Sequence, residues 1–480
     1  MNPLLLEVIV VVLGIVLLML EAFVSKSDKT FLAWIGIGGL FAVLVASFFT
    51  VPVPADAPYA AFYTTDALAM FFKRFSLLAT ILVLVMGIDY APTVEKFVPG
   101  ASKGAGVGEF LSLPVLTCAG LMWMVSAVDF IAIFVSLELV TISFYVLVAY
   151  MRRSATCLEA GTKYLILGAL STGFIVFGIT WIFGVTGQTN LAAIATVLPQ
   201  LPASASAALL FGLGLVLISL GFKIAVFPFQ FWVPDVYQGA PTPITAFLSV
   251  GSKAAGFVVL VRVLTPFLQD ETIGAKVAGV LAVITGATLL FGNLAALPQK
   301  NFKRLMSYSS IAHAGYLLMA VTSIGVAVAE PAISFYLAAY LAMTFLAFLV
   351  MALVASAVGG DDLSNFNGLA RRSPWLAGAM LVAMLSLAGI PFTVGFLGKL
   401  YIFEVALSAQ HYWLVGIGAL TVACGFYYYL QIVRAMYWMP AAENAAAVPV
   451  SMTSRITMAA LAIAIFVFGI YPQPILSMLG

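Results

Sequence analysis

Long apolar runs dominate the chain and are separated by short segments rich in charged residues, proline or glycine. A helix needs about 20 apolar residues to cross the hydrocarbon core of a bilayer, which is about 30 Å thick. Runs of this length occur fourteen times, so the pattern predicts an all-α polytopic membrane protein with about 14 transmembrane helices. The predicted spans are 3–24, 31–50, 64–88, 110–127, 129–150, 160–184, 206–232, 243–265, 275–296, 304–324, 332–357, 375–407, 411–438 and 455–478.

The composition supports a membrane location. Of the 480 residues, 63% are hydrophobic and 8% are charged, whereas soluble proteins carry about 25% charged residues. So few charges cannot cover a water-facing surface, which excludes a soluble enzyme, a secreted disulfide scaffold and a disordered chain. The net charge is +2 and the basic residues are scattered, so we expect no nucleic-acid partner.

Motifs for cofactors or metals are missing from the sequence. Cys118, Cys157 and Cys424 lie far apart and form no CxxC pair, which disfavours iron–sulfur and zinc ligation. There is no Walker A motif, no strand followed by GxGxxG and no HExxH. The sequence therefore predicts that this chain binds no cofactor and no metal.

Lysine and arginine positions predict the orientation of the spans. The even-numbered loops contain only Lys276, and the one odd-numbered loop without a basic residue lies near 228–243. Because basic loops stay in the cytoplasm, fourteen spans place both termini on the periplasmic side. The basic residues of the odd-numbered loops are Lys26, Lys29, Lys96, Lys103, Arg152, Arg153, Lys300, Lys303, Arg304, Arg371, Arg372, Arg434 and Arg455.

Two spans contain prolines that predict broken helices. Pro228 lies in LGFKIAVFPFQFWVPD, and Pro391 lies in LAGIPFTVGFLGKLYIFE. Each proline removes one backbone hydrogen bond, and non-helical backbone at membrane depth is tolerated only inside protein or beside water. A simple packing kink is the alternative. The ionisable residues beside both breaks favour breaks with a functional role.

The two broken spans occupy matching positions in two predicted repeats. Spans four to eight and nine to thirteen form five-helix units, and the broken helix is the fourth member of each. An odd number of helices inverts the second unit, and paired broken helices in inverted repeats indicate an ion site. The predicted segments are an N-terminal three-helix segment at 1–109, the first repeat at 110–266, the second at 267–438 and a C-terminal helix at 439–480.

Ionisable residues within the apolar spans are the candidate functional groups. Each costs about 2.5–3.5 kcal/mol at the bilayer centre, so four central ones indicate a function beyond a buried salt bridge. A lysine can release its proton when desolvated, unlike arginine, and we expect Glu138 and Lys223 to form a switch pair. The central candidates are Glu138, Lys223, Lys253 and Lys399, with Lys163 and His313 nearer the helix ends.

Other polar features favour simpler interpretations. His313 is equally compatible with a hydrogen-bonded core residue, and Lys163 with a salt bridge, here to Glu159 one helical turn away. The aromatic run at 427–431 is interpreted as an interfacial belt or as packing, not as a quinone site. Four charged residues near the ends of the early spans are expected to face neighbouring subunits: Glu7, Glu21, Lys73 and Arg74.

Five segments resemble the antiporter-like subunits of the bacterial proton-pumping NADH:quinone oxidoreductase, respiratory complex I. They are FVSLELVTISFYVLVAY, EAGTKYLILGALSTG, FKIAVFPFQFWVPDVYQGAPTPITAFLS, KRLMSYSSIAHAGYL and GIPFTVGFLGKLYIF. The superfamily also includes Mrp-type Na⁺/H⁺ antiporter subunits and subunits of membrane-bound hydrogenases. The N type is favoured because Lys399 and Lys253 stand where the M and L types have glutamate and histidine, and because no long lateral helix follows the last span.

The resemblance implies a proton-translocating role in the bacterial inner membrane. It implies that Glu138, Lys223, Lys253 and Lys399 are channel residues. It also implies that NADH, FMN, iron–sulfur clusters and quinone belong to other subunits, with the antiporter-like subunit M and the small subunit K as neighbours. Two alternatives stay open at this point: an Mrp-type cation/proton antiporter and an inert structural spacer.

Overall fold

The computed structural model describes residues 2–23, 28–54, 57–99, 104, 106–441 and 447–479. Within these ranges the chain is helical, and its only β contacts are three isolated bridges. The predicted all-α class is therefore confirmed. Of the basic loop residues used to predict the topology, Lys26 and Lys103 lie outside the described ranges.

The helices follow the predicted apolar runs. The first ten are α1 (Leu4–Phe23), α2 (Phe31–Ala46), α3 (Ala67–Phe97), α4 (Val107–Ser126), α5 (Phe130–Val148), α6 (Ala155–Thr186), α7 (Leu191–Val197), α8 (Ser206–Ile224), α9 (Val233–Gly239) and α10 (Thr242–Phe247). The next ten are α11 (Lys253–Leu268), α12 (Gly274–Ala296), α13 (Phe302–Val321), α14 (Glu330–Val358), α15 (Leu369–Arg372), α16 (Pro374–Ala388), α17 (Val394–Ser408), α18 (Tyr412–Tyr437), α19 (Met452–Ile470) and α20 (Gln473–Leu476). A π-helical turn, Leu248–Ser252, joins α10 to α11.

Twelve helical segments in the described part of the chain are long and apolar enough to cross a membrane. The two other predicted spans are α13, which is rich in serine, and the broken pair α16 and α17. Each of the fourteen predicted spans thus corresponds to one helix or to a short series of consecutive helices. The largest difference in boundaries is in α3, which continues past the predicted end at 88 to Phe97 with Pro92 inside it.

Side-chain caps explain where several helices begin. Asp129 separates α4 from α5, since its carboxylate accepts a hydrogen bond from the backbone N–H of Ile131 at 2.8 Å. Asp66 caps α3 in the same way through Ala69, at 2.7 Å. An acceptor at this position satisfies a backbone donor that has no partner within the helix. These caps confirm the short break around Asp129 that the sequence indicated.

Both predicted helix breaks are present. The first separates α8 from α9 over residues 225–232 and contains Pro228. The second separates α16 from α17 over residues 389–393 and contains Pro391. The division into four segments stays a prediction; its boundary at 109/110 falls in the first turn of α4, and that at 266/267 falls in the last turn of α11.

Candidate functional site

Three buried lysines lie on three different helices: Lys223 and Lys399 are beside the two breaks, and Lys253 directly follows the π-helical turn. Lys223 is in the last turn of α8, Lys253 is the first residue of α11, and Lys399 lies in α17. Their side chains are 2–6% exposed. The structure therefore buries all three lysines that the sequence placed at the centre of spans, but not Lys163, whose side chain is 41% exposed.

Lys223 bonds to a hydroxyl and not to the expected carboxylate. Its Nζ donates to Thr141 Oγ1 on α5 at 3.0 Å. Glu138 lies one turn earlier on α5, is half-buried, and accepts from Thr172 Oγ1 of α6 at 2.7 Å. Lys223 thus contacts α5 one turn from Glu138, but the expected switch pair forms no ion pair among the described residues.

A glycine brings α11 against the stem of Lys223. A Cβ at Gly256 would lie 3.4 Å from Lys223 Cγ and 2.8 Å from a methyl group of Ile224. A contact below 3 Å forces neighbouring atoms to move, so the close approach of α8 and α11 requires glycine here. Gly256 follows Lys253 by three residues, so α11 contacts the stem of Lys223 one helical turn after Lys253.

Lys253 is surrounded by hydroxyl groups. Its Nζ donates to the carbonyl oxygen of Ser310 at 2.6 Å and to the hydroxyl of the same residue. The Ser310 hydroxyl lies 3.3 Å from Tyr237 Oη and 3.5 Å from Ser249 Oγ, which in turn lies 2.9 Å from Tyr340 Oη. These partners carry no charge, so hydrogen bonds solvate the lysine without an opposite charge.

His313 uses both ring nitrogens in hydrogen bonds to buried tyrosines. Its Nδ1 lies 2.7 Å from Tyr336 Oη on α14, and its Nε2 lies 3.1 Å from Tyr429 Oη on α18. Tyr429 also bonds to Ser309, which neighbours the serine bound by Lys253. Of the two interpretations of 427–431, Tyr428 and Tyr429 fit packing and not an interfacial belt, because both are buried.

Lys399 binds the backbone carbonyls at the end of α16. Its Nζ donates to the carbonyl oxygens of Leu387 and Ala388 at 2.9 and 2.8 Å. Pro391 has no N–H with which to bond Leu387 in a continuous helix, and the carboxyl end of a helix attracts a cation. Lys399 also lies 5.4 Å from the ring centre of Tyr316, which stands one turn after His313 on α13.

Lys163 belongs to a separate network of ion pairs. It pairs with Glu159 at 2.7 Å and with Asp235 at 2.6 Å, and Asp235 also pairs with Arg304 at 2.8 Å. Burial alone would raise the pKa of the Asp235 carboxyl, but the hydrogen bonds and charges of its two partners outweigh burial and lower it. Sequence reasoning missed Asp235, although its place directly after Pro234 at the broken helix was a usable signal.

The break that contains Pro228 holds a buried amide. Gln230 is fully buried, and neither its side-chain oxygen nor its side-chain nitrogen has a partner among the described residues. Other groups at this break are satisfied, since Trp232 Nε1 donates to the carbonyl of Phe222 at 3.0 Å and the N–H of Phe227 to Thr288 Oγ1 at 3.1 Å. This break therefore places the polar groups of Gln230 and Trp232 in the interior, whereas Pro228 and Phe231 lie at the surface.

No group of three or more histidine, cysteine or acidic side chains in the described part of the chain is arranged to hold a metal ion. The three cysteines are unpaired. What the site contains instead is a set of groups that gain and lose protons, joined by hydroxyls. Such an arrangement suits proton transfer.

Comparisons with known proteins agree with this chemistry. Residues 127–425 match the family model described as NADH:quinone oxidoreductase/Mrp antiporter, transmembrane. A relative from Trichlorobacter lovleyi, NADH-quinone oxidoreductase subunit N, is 39% identical over 99% of this chain and 95% of its own length.

Solved structures share the fold. A chain of respiratory complex I from Thermus thermophilus, solved with bound aureothin, is 31% identical with a TM-score of 0.81, covering 98% of both chains. A chain of the Mrp complex from Dietzia sp. DQ12-45-1b is 20% identical with a TM-score of 0.82, covering 99% of this chain and 96% of its own. At that identity the Mrp likeness shows the common fold alone.

Proposed function

Because this chain belongs to the family of NADH-quinone oxidoreductase N subunits, we propose that it carries protons across the membrane along a row of its own buried side chains. The chain is a multi-pass membrane subunit of the complex, and the complex supplies the redox energy. The proposed groups are Glu138, Lys223, Lys253 and Lys399, supported by Lys163 and His313.

One observation carries this proposal: three buried lysines have neutral oxygen atoms as hydrogen-bond partners. Lys223 bonds to a threonine hydroxyl, Lys253 to a serine, and Lys399 to two backbone carbonyls. An ammonium group at membrane depth is expensive, and a direct carboxylate partner would favour its charged form. Neutral partners instead allow the amine to exist with or without its extra proton, as a proton carrier must.

The order of transfer follows the helices that join these groups. We place uptake at Lys223, transfer to Lys253 along α11, and exit past Lys399. Between the last two, α13 supplies Ser310 and His313, and the ring of Tyr316 faces Lys399. Water molecules would connect the groups that do not touch.

The position of Glu138 on α5 is an argument that a neighbouring subunit covers this face. Leu139 and Ile142 beside it are exposed apolar residues, at 41% and 56%. A half-buried carboxylate on such a face cannot rest against lipid without a large cost, so protein must cover it. We propose the antiporter-like subunit M and the small subunit K as the neighbours of this chain, and NADH, FMN, the iron–sulfur clusters and quinone as ligands of other subunits.

We further propose that the chain lies in the bacterial inner membrane with both termini in the periplasm. The basic residues of the loops support this orientation. In a cysteine-free background, a cysteine at the exposed Ser364, in the same loop as Arg371 and Arg372, should be labelled from the cytoplasm, and one at the exposed Thr272 from the periplasm. Labelling of position 364 from the periplasm would reverse the orientation.

The proposed function is tested by Lys253→Met, which keeps the length of the side chain and removes the amine. The matched control is Lys276→Met, because Lys276 is an exposed lysine at the start of α12. We expect NADH-driven proton uptake by inverted vesicles to fall severalfold in the first variant and to stay unchanged in the second, at equal complex content on a native gel. Wild-type pumping in assembled Lys253→Met would contradict the proposal, and sodium-dependent transport by the isolated chain would favour the antiporter alternative.

A further inference from the structure

A second group of buried ionisable side chains lies outside the row of lysines. Glu7 is in the first turn of α1, and Lys73 is in the second turn of α3. Tyr63 precedes α3 in the segment that bridges to Ala127. Glu7 and Tyr63 are about 5% exposed and Lys73 is fully buried. The expectation that Glu7 and Lys73 face neighbouring subunits is therefore wrong.

These residues, the Glu7–Tyr63–Lys73 triad, form a closed set of contacts. Lys73 Nζ lies 2.9 Å from Glu7 Oε1, and the Tyr63 hydroxyl donates to the same oxygen at 2.9 Å. Lys73 also donates to the Tyr63 hydroxyl oxygen. Each member thus touches the other two, and each carries a group that can hold or release a proton.

One oxygen of the triad has no partner. Glu7 Oε2 is buried and accepts no hydrogen bond from the described residues. The neighbouring pair Asp66–Arg262 is different, because Arg262 donates to both Asp66 oxygens at 2.8 Å and the backbone of Ala69 donates to one of them. A buried charged oxygen without a donor is costly, whereas the same oxygen in a neutral carboxyl group costs less.

We propose that the Glu7–Tyr63–Lys73 triad is an additional proton-exchange site of this subunit, which rests on the proposed proton-translocating function. In the transfer step, the ammonium of Lys73 gives a proton to the Tyr63 oxygen while the Tyr63 hydroxyl proton passes to Glu7 Oε1. A lysine amine and a neutral carboxyl group result, and Tyr63 is unchanged. The net charge of the triad is zero before and after the step, so a buried environment does not oppose it.

The position of the triad assigns it to the outer side of the membrane. Both α1 and α3 begin at the same end of the bundle, and the proposed orientation places that end in the periplasm. From Tyr63, an edge-to-face contact leads to Tyr59 at 6.1 Å, and Tyr59 bonds to the exposed Asn2 at 2.5 Å. The triad therefore lies between the helical interior and the periplasmic surface, where protons leave.

The alternative is a permanent ion pair that only ties α1 to α3. Lys73→Arg separates the two, because arginine keeps the positive charge but does not release its proton. In assembled complex we expect Lys73→Arg to lose most NADH-driven proton pumping. Asp66→Asn is the matched control: it removes the carboxylate of the neighbouring ion pair, retains an N-cap side chain for α3 and should leave pumping unchanged.

Glu7→Gln, which has the same shape as the native residue, answers the same question if the arginine variant does not assemble. Assembled complex that pumps at the wild-type rate in either variant would overturn the proposal and leave the triad as a structural tie. Lys253→Met is measured alongside. If it loses pumping while the triad variants do not, only this inference fails; if it also pumps normally, the proposed function fails.

Discussion

Lys399 has two separable roles, and two substitutions distinguish them. Its amine satisfies the last carbonyls of α16, at Leu387 and Ala388, and in the proposed function it also exchanges a proton. Lys399→Met removes both roles. Lys399→Arg keeps the charge and the donors but does not release a proton at physiological pH.

The contribution of the Lys399 amine to stability can be worked out from the two carbonyls that it satisfies. Without Lys399, the carbonyls of Leu387 and Ala388 lose their donor in a buried position. Leaving a buried acceptor unsatisfied costs about 1–3 kcal/mol, so the pair costs about 2–6 kcal/mol. We expect Lys399→Met to lower the temperature at which the purified complex dissociates, and Lys399→Arg to change it much less.

Proton pumping should respond differently from stability. Both variants should pump poorly in inverted vesicles, even though the arginine variant assembles normally on a native gel. An assembled Lys399→Arg variant that pumps at the wild-type rate would show that proton exchange at this position is unnecessary. Unchanged thermal stability of Lys399→Met would refute the role of the amine at the end of α16.

Three further predictions concern other parts of the site. Glu138→Gln should reduce proton pumping and NADH oxidation together, because Lys223 loses its nearby negative charge; normal rates in vesicles would remove Glu138 from the mechanism. Gly256→Val should impair pumping more than Gly256→Ala, because the larger side chain displaces Lys223 further; equal rates would argue against this contact. Asp235→Asn should lower the free energy of unfolding by less than about 1 kcal/mol, because solvent-exposed ion pairs contribute no more than that to stability. The partners of Asp235 lower its pKa, so the wild-type protein should have its whole stability advantage over Asp235→Asn above about pH 4, the ordinary range for aspartate. The advantage should disappear as the pH falls below the pKa of Asp235 in the folded protein. A difference that does not change with pH would contradict this.

The spans, the breaks and the buried lysines were predictable because each depends on local sequence. A run of apolar residues, a proline inside it or a lysine at its centre is visible without knowing what packs beside it. Lys253 and Lys399 were found in this way. Their positions in the structure agree with the sequence pattern, and their roles stay proposals.

The partners of these residues were not predictable, because they are distant in sequence. Nothing local distinguishes Tyr336 and Tyr429, which bond to His313, from the other tyrosines of an apolar chain with 18 of them. Glu138 and Lys223 were paired by charge alone, whereas helix geometry gives Lys223 a threonine. The same limitation hid the Glu7–Lys73 pair, whose members are 66 positions apart.

The π-helical turn between α10 and α11 determines how far α11 is rotated about its axis relative to α10. One residue turns an α-helix by about 100°, and a π-turn contains one residue more than an α-helical turn. Ser249, within the turn, bonds to Tyr340, while Lys253 bonds to Ser310 after it. Nine residues later, Arg262 points to the opposite side and binds Asp66. Deleting one residue from the turn would rotate α11 against α10, so the contacts before and after it could not all form. The extra residue thus sets the angle between α10 and α11, so that Ser249 within the turn and Lys253 after it reach the same network around Ser310. The spacing of nine residues along α11 then carries Arg262 to the opposite face of the helix.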